Sequence, residues 1–226
     1  DRFIADWSGQ ATGLTFDLTA NAAASTTLAN GITVGGFEQF WLKLGSGADR
    51  VTAHSNDYVD AGGGNDVLIG SSLSGATLKG GAGNDTFLSI NALSNSIDGG
   101  TDDDTAWIKL RDQSTSETYN VDTVGYYSAG LGWVTLGWGA STATIETFLA
   151  GFAGASQLQF VYAQTNGSTS GSYLNVTSVE HLNIDAGGGS DIVVYRDGGT
   201  RYLGGADNDR FIADWSGQAT GLTFDL

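Results

Sequence analysis

Six short turns hold the residues best equipped for chemistry: LGSGADRV (44–51), AGGGNDVL (61–68), GGAGNDTF (80–87), GGTDDDTA (99–106), AGGGSDIV (186–193) and GGADNDRF (204–211). In each, glycines lead to an aspartate, one variable residue follows, and then an apolar or small residue. Glycine admits backbone with φ > 0 and lets carbonyl oxygens turn toward a common centre. Aspartate adds a short, hard, anionic oxygen. Such oxygens suit calcium, which takes about six to eight of them at about 2.3–2.6 Å, more than one turn supplies. Two stacked turns could. The candidate ligands are Asp49; Gly62, Gly64 and Asp66; Gly81, Gly83 and Asp85; Gly100, Asp102 and Asp104; Gly187, Gly189 and Asp191; and Gly205, Asp207 and Asp209.

The spacing supports stacking. Asp49, Asp66, Asp85 and Asp104 are 17, 19 and 19 residues apart, and Asp191 and Asp209 are 18 apart. The turns resemble the nonapeptide G-G-x-G-x-D-x-U-x of RTX proteins, the haemolysin-type calcium-binding repeat, where U is a large apolar residue. Residues 80–88 match at every defined position. The others depart mainly at the first, second or fourth, and Ala106 stands where the apolar residue belongs. The resemblance implies an all-β fold of right-handed parallel β-roll or solenoid coils, about 18 residues each, with Ca2+ between successive turns. About four ions or more are expected, and four would offset half of the formal charge of −16. It also implies type I secretion and folding on meeting extracellular calcium, because an ion bound only by the native state stabilises that state.

Between the turns, VLIGSSLSGATLK (67–79) and TFLSINALSNSID (86–98) each read as strand, tight turn, strand. Period-two alternation directs Leu68, Leu78, Phe87 and Ile97 inward. Asp57 and Asp60 are candidates for an extra half-site.

A longer repetition encloses all of this. Residues 1–18 recur without change at 209–226, a period of 208 residues, as expected of a slice from a tandem array joined head to tail. The expected divisions are 1–48, the end of one period with a first insertion; 44–106, a β-roll with stacked turns; 107–176, an aromatic and glycine-rich β insertion with a decayed turn; and 177–226, a second roll section running into the next repeat. Three stretches, 35–49, 143–156 and 177–191, share an apolar–Glu–x–apolar core and suggest decayed copies of one module. In the middle one Ser156 replaces the aspartate. Glu38, Glu146 and Glu180 occupy this frame and are expected to cap or hydrogen-bond strand ends, with outer-sphere support of an ion as the alternative. YYSAGLGWVTLGWG (126–139) reads as a β-hairpin, and no segment reads as helix.

Composition narrows the function. With 35 Gly and no Pro, Cys or Met there is neither a disulfide framework nor a thiolate site. The acidic surface disfavours nucleic acid and anionic membrane. No apolar run approaches the roughly 20 residues of a membrane span. His54 and His181 are the only histidines, no nucleophile or P-loop motif accompanies them, and no enzyme activity is expected. The expected role is architectural: a repeat of an extracellular adhesin, matrix filament or surface-layer (S-layer) protein whose partners are neighbouring copies of itself. The alternatives are a glycan- or partner-binding module, meeting a cell surface through the exposed aromatics of the insertion, and an RTX segment attached to a secreted enzyme.

Overall fold

The computed structural model describes residues 1–20, 25–27, 31–70, 75–90, 95–109, 119–164 and 172–216. The strands in chain order are β1 (Arg2–Asp6), β2 (Thr15–Asp17), β3 (Thr26–Thr27), β4 (Thr33–Val34), β5 (Gln39–Lys43), β6 (Arg50–Ala53) and β7 (Tyr58–Gly63). They continue with β8 (Val67–Gly70), β9 (Thr77–Ala82), β10 (Thr86–Ile90), β11 (Ser96–Thr101), β12 (Thr105–Lys109), β13 (Tyr119–Ser128) and β14 (Gly132–Gly137). After the helix α1 (Thr142–Phe152) come β15 (Gln157–Gln164), β16 (Ser172–Thr177), β17 (His181–Asp185), β18 (Ile192–Val194), β19 (Tyr202–Leu203) and β20 (Arg210–Ile212). The fold is mostly β.

Two sheets dominate. One has the order β1-β5-β7-β9-β11-β16-β15-β13-β14, the other β19-β17-β12-β10-β8-β6-β2. From β5 to β12 the chain alternates between them, and each strand pairs in parallel with the strand two places on. Parallel partners need a return connection, and the opposite sheet supplies it.

This alternation follows from the sequence spacing. The 17- to 19-residue interval places like residues side by side on neighbouring strands. In the first sheet Leu42, Val59, Leu78, Ile97 and Val176 line up in one row. In the second, Phe16, Val51, Leu68, Phe87, Ala106 and Leu182 do the same. Every one of these side chains is buried in a common core. The inward placement of Leu68, Leu78, Phe87 and Ile97 agrees with the alternation read from the sequence.

The insertion carries the main departure. β13 and β14 form the hairpin expected from residues 126–139, with Tyr126 opposite Val134 and Tyr127 opposite Trp133. Residues 142–152, however, are helical. Ser141 caps α1 by accepting a hydrogen bond at its Oγ from the Thr144 N–H at 3.3 Å. Phe148 and Phe152 are buried, and Tyr126 packs edge-on to Phe148 with ring centroids 5.3 Å apart. Ile145, Phe148, Leu149 and Phe152 recur at i, i+3, i+4 and i+7, the signature of one apolar helical face. Three threonines and Gly151, poor helix formers, mask it in the sequence. Among the described residues no helix is long and apolar enough to cross a membrane.

Candidate metal centre

The glycine–aspartate turns stack at the ends of the parallel strands. In four of them the backbone enters the left-handed region at two positions: Gly62 and Gly64, Gly81 and Gly83, Gly187 and Gly189, and Gly100 with Asp102. Gly205 with Asp207 makes a fifth pair. Asp102 (φ 81°) and Asp207 (φ 76°) thus stand where other turns use glycine, a conformation aspartate tolerates better than most residues. At Gly81 a side chain is excluded twice over, since φ is 110° and an added Cβ would collide with Gly62 O of the preceding turn.

The aspartates form a column. Each Oδ1 accepts the main-chain N–H of the corresponding residue one coil earlier. Leu14 N–H donates to Asp49 at 2.6 Å, Asp49 to Asp66 at 2.7 Å, Asp66 to Asp85 at 2.8 Å and Asp85 to Asp104 at 2.8 Å. Asp104 N–H then donates to Glu180 Oε2 at 2.9 Å, across the whole insertion. A second, shorter column runs from Val121 N–H to Asp191 Oδ1 (2.6 Å) and from Asp191 N–H to Asp209 Oδ1 (3.1 Å).

One oxygen of each carboxylate is therefore used to register adjacent coils. The other is not. Oδ2 of Asp49, Asp66, Asp85 and Asp104 is buried and has no hydrogen-bond partner among the described residues. Such groups are costly, since a buried polar atom forfeits its hydration without replacement. The charges acting on Asp66, Asp85 and Asp104 are all acidic. Burial, aided by these neighbours, raises Asp66 from 3.8 to about 7 and Asp85 and Asp104 to about 6. Burial raises Asp49 as well.

The oxygens also converge with main-chain carbonyls. A Cβ placed on Gly80 would strike both Asp85 Oδ2 and Gly99 O, and one on Gly99 would strike Asp104 Oδ2 and Ser178 O. At each spot a carboxylate oxygen and a carbonyl oxygen press against one glycine Cα, an approach that any side chain would block. A calcium ion suits this donor set, with the carboxylate supplying charge and the carbonyls supplying number. Among the described residues no three His, Cys, Asp or Glu side chains gather tightly enough to hold an ion alone.

Other expected residues have different places. Asp102 is exposed, and its Oδ2 accepts from Gly83 N–H at 3.0 Å, which registers two turns. Asp207 and Asp209 are exposed at the last described turn. Asp57 is buried, but both its oxygens are occupied, Oδ1 by Phe40 N–H (2.8 Å) and Oδ2 by His54 N–H (2.6 Å). With neither oxygen free, it is a structural pin rather than a half-site. Asp60 lies half-buried in β7, and its side chain is not among these pins. Asn95, missed in the sequence, plays the pin's part 38 residues later, its Oδ1 accepting from Ala76 N–H at 3.0 Å. The interval 57–76–95 was the available signal.

Glu180 accepts from Asp104 N–H, in keeping with a capping role, and Glu38 pairs with the terminal ammonium of Asp1. Glu146 instead lies exposed on α1 and caps no strand. His181 Nε2 sits 2.7 Å from Asp103 Oδ1, and its Nδ1 is 2.8 Å from Gly198 O. The aromatics of the insertion divide: Tyr126 is buried, whereas Tyr127, Trp133, Trp138 and Tyr173 are exposed. No family model, curated protein or solved structure matches the chain. The case for the turns thus rests on their own oxygen atoms.

Proposed function

We propose that the chain is a calcium-stabilised structural repeat, a parallel β-roll whose turns take ions between successive coils. It would serve in a secreted, extracellular bacterial adhesin, matrix filament or surface layer. The observation that carries this reading is the column of buried Asp Oδ2 atoms without hydrogen-bond partners, set beside glycine-lined carbonyl oxygens. A cation is the simplest way to offset four stacked carboxylates whose charged neighbours are acidic. The role is architectural and not catalytic, and the recurrence of residues 1–18 at a period of 208 residues argues for length as the selected property.

Ca2+ supplies positive charge and coordination at these turns when bound. The chain supplies the rest. Oδ1 fixes the register between coils, Oδ2 stays free to coordinate, and Gly80 and Gly99 keep side chains away from these oxygens. Without the ion, the buried carboxylates and the overall acidity oppose compaction. Folding is then conditional on calcium, which suits a chain exported from a calcium-poor compartment.

Small-angle scattering during titration from EGTA into millimolar calcium tests this. A compact chain of this length has a radius of gyration near ~17 Å and an unfolded one near ~50 Å. A calcium-driven fall toward the lower value is expected, and a radius indifferent to calcium overturns the reading. The exposed Tyr127–Trp133 pair, with Trp138 and Tyr173, favours a second reading as a glycan-binding face. Quenching of tryptophan fluorescence by oligosaccharides tests that reading, and its absence across a glycan panel rejects it.

A further inference from the structure

One eight-residue sequence occurs twice among the described residues and pairs with its neighbouring strand through opposite edges. Residues 1–8 and 209–216 are identical, DRFIADWS. In the first copy, β1 lies parallel to β5. Glu38 and Gln39 N–H both donate to Asp1 O at 3.2 Å, and Trp7 N–H donates to Lys43 O at 2.7 Å. In the second, β20 lies parallel to β18. Arg210 N–H donates to Asp191 O at 2.8 Å, and Tyr195 N–H donates to Ile212 O at 2.8 Å. The first copy bonds through its first and seventh residues, the second through its second and fourth. The main-chain groups of successive strand residues leave on alternate edges, so the two copies use opposite edges of one strand.

Their side chains divide in the same way. Phe3 packs on Phe37 and Phe40, with centroids 5.3 and 5.9 Å away, while Ile4 is 66% exposed. In the other copy the equivalent of Phe3, Phe211, is 49% exposed, and the equivalent of Ile4, Ile212, is only 7% exposed. Phe3 is half-buried and Ile4 exposed in one copy, whereas in the other Ile212 is buried and Phe211 half exposed beside Tyr202 and Trp215.

The turn aspartate completes the match. Asp209 Oδ1 accepts from Asp191 N–H, as in the columns described above. Asp1 contributes its carbonyl to the N–H groups of Glu38 and Gln39. The same arrangement exists inside the chain, where Asp104 N–H donates to Glu180 Oε2 and Asp104 O accepts from Glu180 and His181 N–H at 3.2 and 2.9 Å. The Asp104–Glu180 step is thus an intact example of the bond that Asp209 could make to Glu38 of another copy.

We propose that residues 209–216 are a joint strand that takes residues 37–43 of a second copy of this chain. One edge and one face close the end of the first copy, and the opposite edge and face close the start of the next. A parallel ladder then runs from β18 through the joint into β5 of the following copy. The inference deepens the structural-repeat reading and rests on it for the head-to-tail order, but not on the ion.

The chain has no cysteine, so introduced pairs report without background. Arg2 is the register partner of Gln39, so Arg210 should face Gln39 of the next copy. Full-length chains carrying Arg210→Cys are mixed with chains carrying Gln39→Cys and Phe3→Ser, the latter loosening the resident β1. A disulfide between the two is expected, at least tenfold above that from Arg210→Cys with Lys43→Cys, four positions out of register. Phe3→Ser alone should associate with rising concentration by sedimentation velocity, and Phe3→Ser with Phe211→Ser should be monomeric. If Phe3→Ser prevents folding, Gln39→Cys with native Phe3 gives the same cross-linking comparison. A folded Phe3→Ser chain that stays monomeric, or cross-links without register preference, overturns the joint. Circular dichroism of the same samples with calcium and EGTA reads the turns separately, since a chain that folds equally in both refutes the calcium reading and leaves the joint standing.

Discussion

Replacing Asp66 by asparagine should move stability in opposite directions with and without calcium. The Asp66→Asn side chain would keep an oxygen for the Asp49 N–H, a bond of 2.7 Å in the native turn. It would lose the charge carried by the unpartnered Oδ2. The native environment raises Asp66 from 3.8 to about 7, chiefly through burial. At about 1.4 kcal/mol for each tenfold change in proton affinity, the ionised group costs the ion-free fold about 4 kcal/mol at neutral pH. Some of this is relieved by local relaxation, so Asp66→Asn should gain about 2–4 kcal/mol in EGTA. In calcium the sign reverses, because the variant lacks a ligand and forgoes stabilisation of about 4.1 kcal/mol at a thousandfold excess over the dissociation constant, which exceeds the gain. The assay is the folded fraction by circular dichroism at pH 7.5 in EGTA, where Asp66→Asn should be the more folded chain, and urea unfolding in millimolar calcium. If Asp66 acts only through its hydrogen bond, the variant is less stable in both conditions. That outcome would refute the reasoning.

Three further outcomes follow from the same geometry. In EGTA the chain should be more stable near pH 4 than at pH 7.5. Asp66, Asp85 and Asp104 have folded values raised above 3.8, so their contribution is present below that value and is lost as pH rises through about 6 to 7; the folded fraction by circular dichroism against pH checks it, and calcium should remove the loss. Phe87→Ala should cost about 3–5 kcal/mol by chemical denaturation with calcium present, since Phe87 is wholly buried between Leu68 and Ala106 in its row. Gly81→Ala should cost more than about 1 kcal/mol, whereas Gly130→Ala, with open space around it, should be nearly neutral in the same assay.

Much of the central architecture was legible because a coil repeats its own geometry. Intervals of 17 to 19 residues fix which side chains become neighbours, so Leu68 and Phe87, or Leu78 and Ile97, could be placed in rows from their numbers. The turns were legible for a similar reason, since positive φ restricts the residue type. What the letters do not hold is the division of labour within one carboxylate. Asp49 and Asp57 are the same residue type on neighbouring coils, yet one keeps an oxygen free and the other uses both. The insertion was read less well. An apolar–Glu–x–apolar core fits a strand end at Glu180 and a helix at Glu146, and only packing against Tyr126 and β13 selects the helix. Asp209 is poorly buried for a ladder residue, as the proposed joint requires if its forward partner lies in a different copy of the sequence.

The parallel register also has a mechanical consequence. Main-chain hydrogen bonds join each coil to the next along the stacking direction, and strands in a sheet are about 4.8 Å apart. A coil therefore adds about 5 Å to the folded body while holding about 60 Å of contour at about 3.3 Å per residue. Tension applied along the stack loads one coil boundary after another, and each release lengthens the chain about twelvefold for that coil. On the proposed reading, an ion seated between turns would clamp that boundary. Ambient calcium would then set the force at which the protein yields, and with it how much slack a tethered structure can release before it breaks.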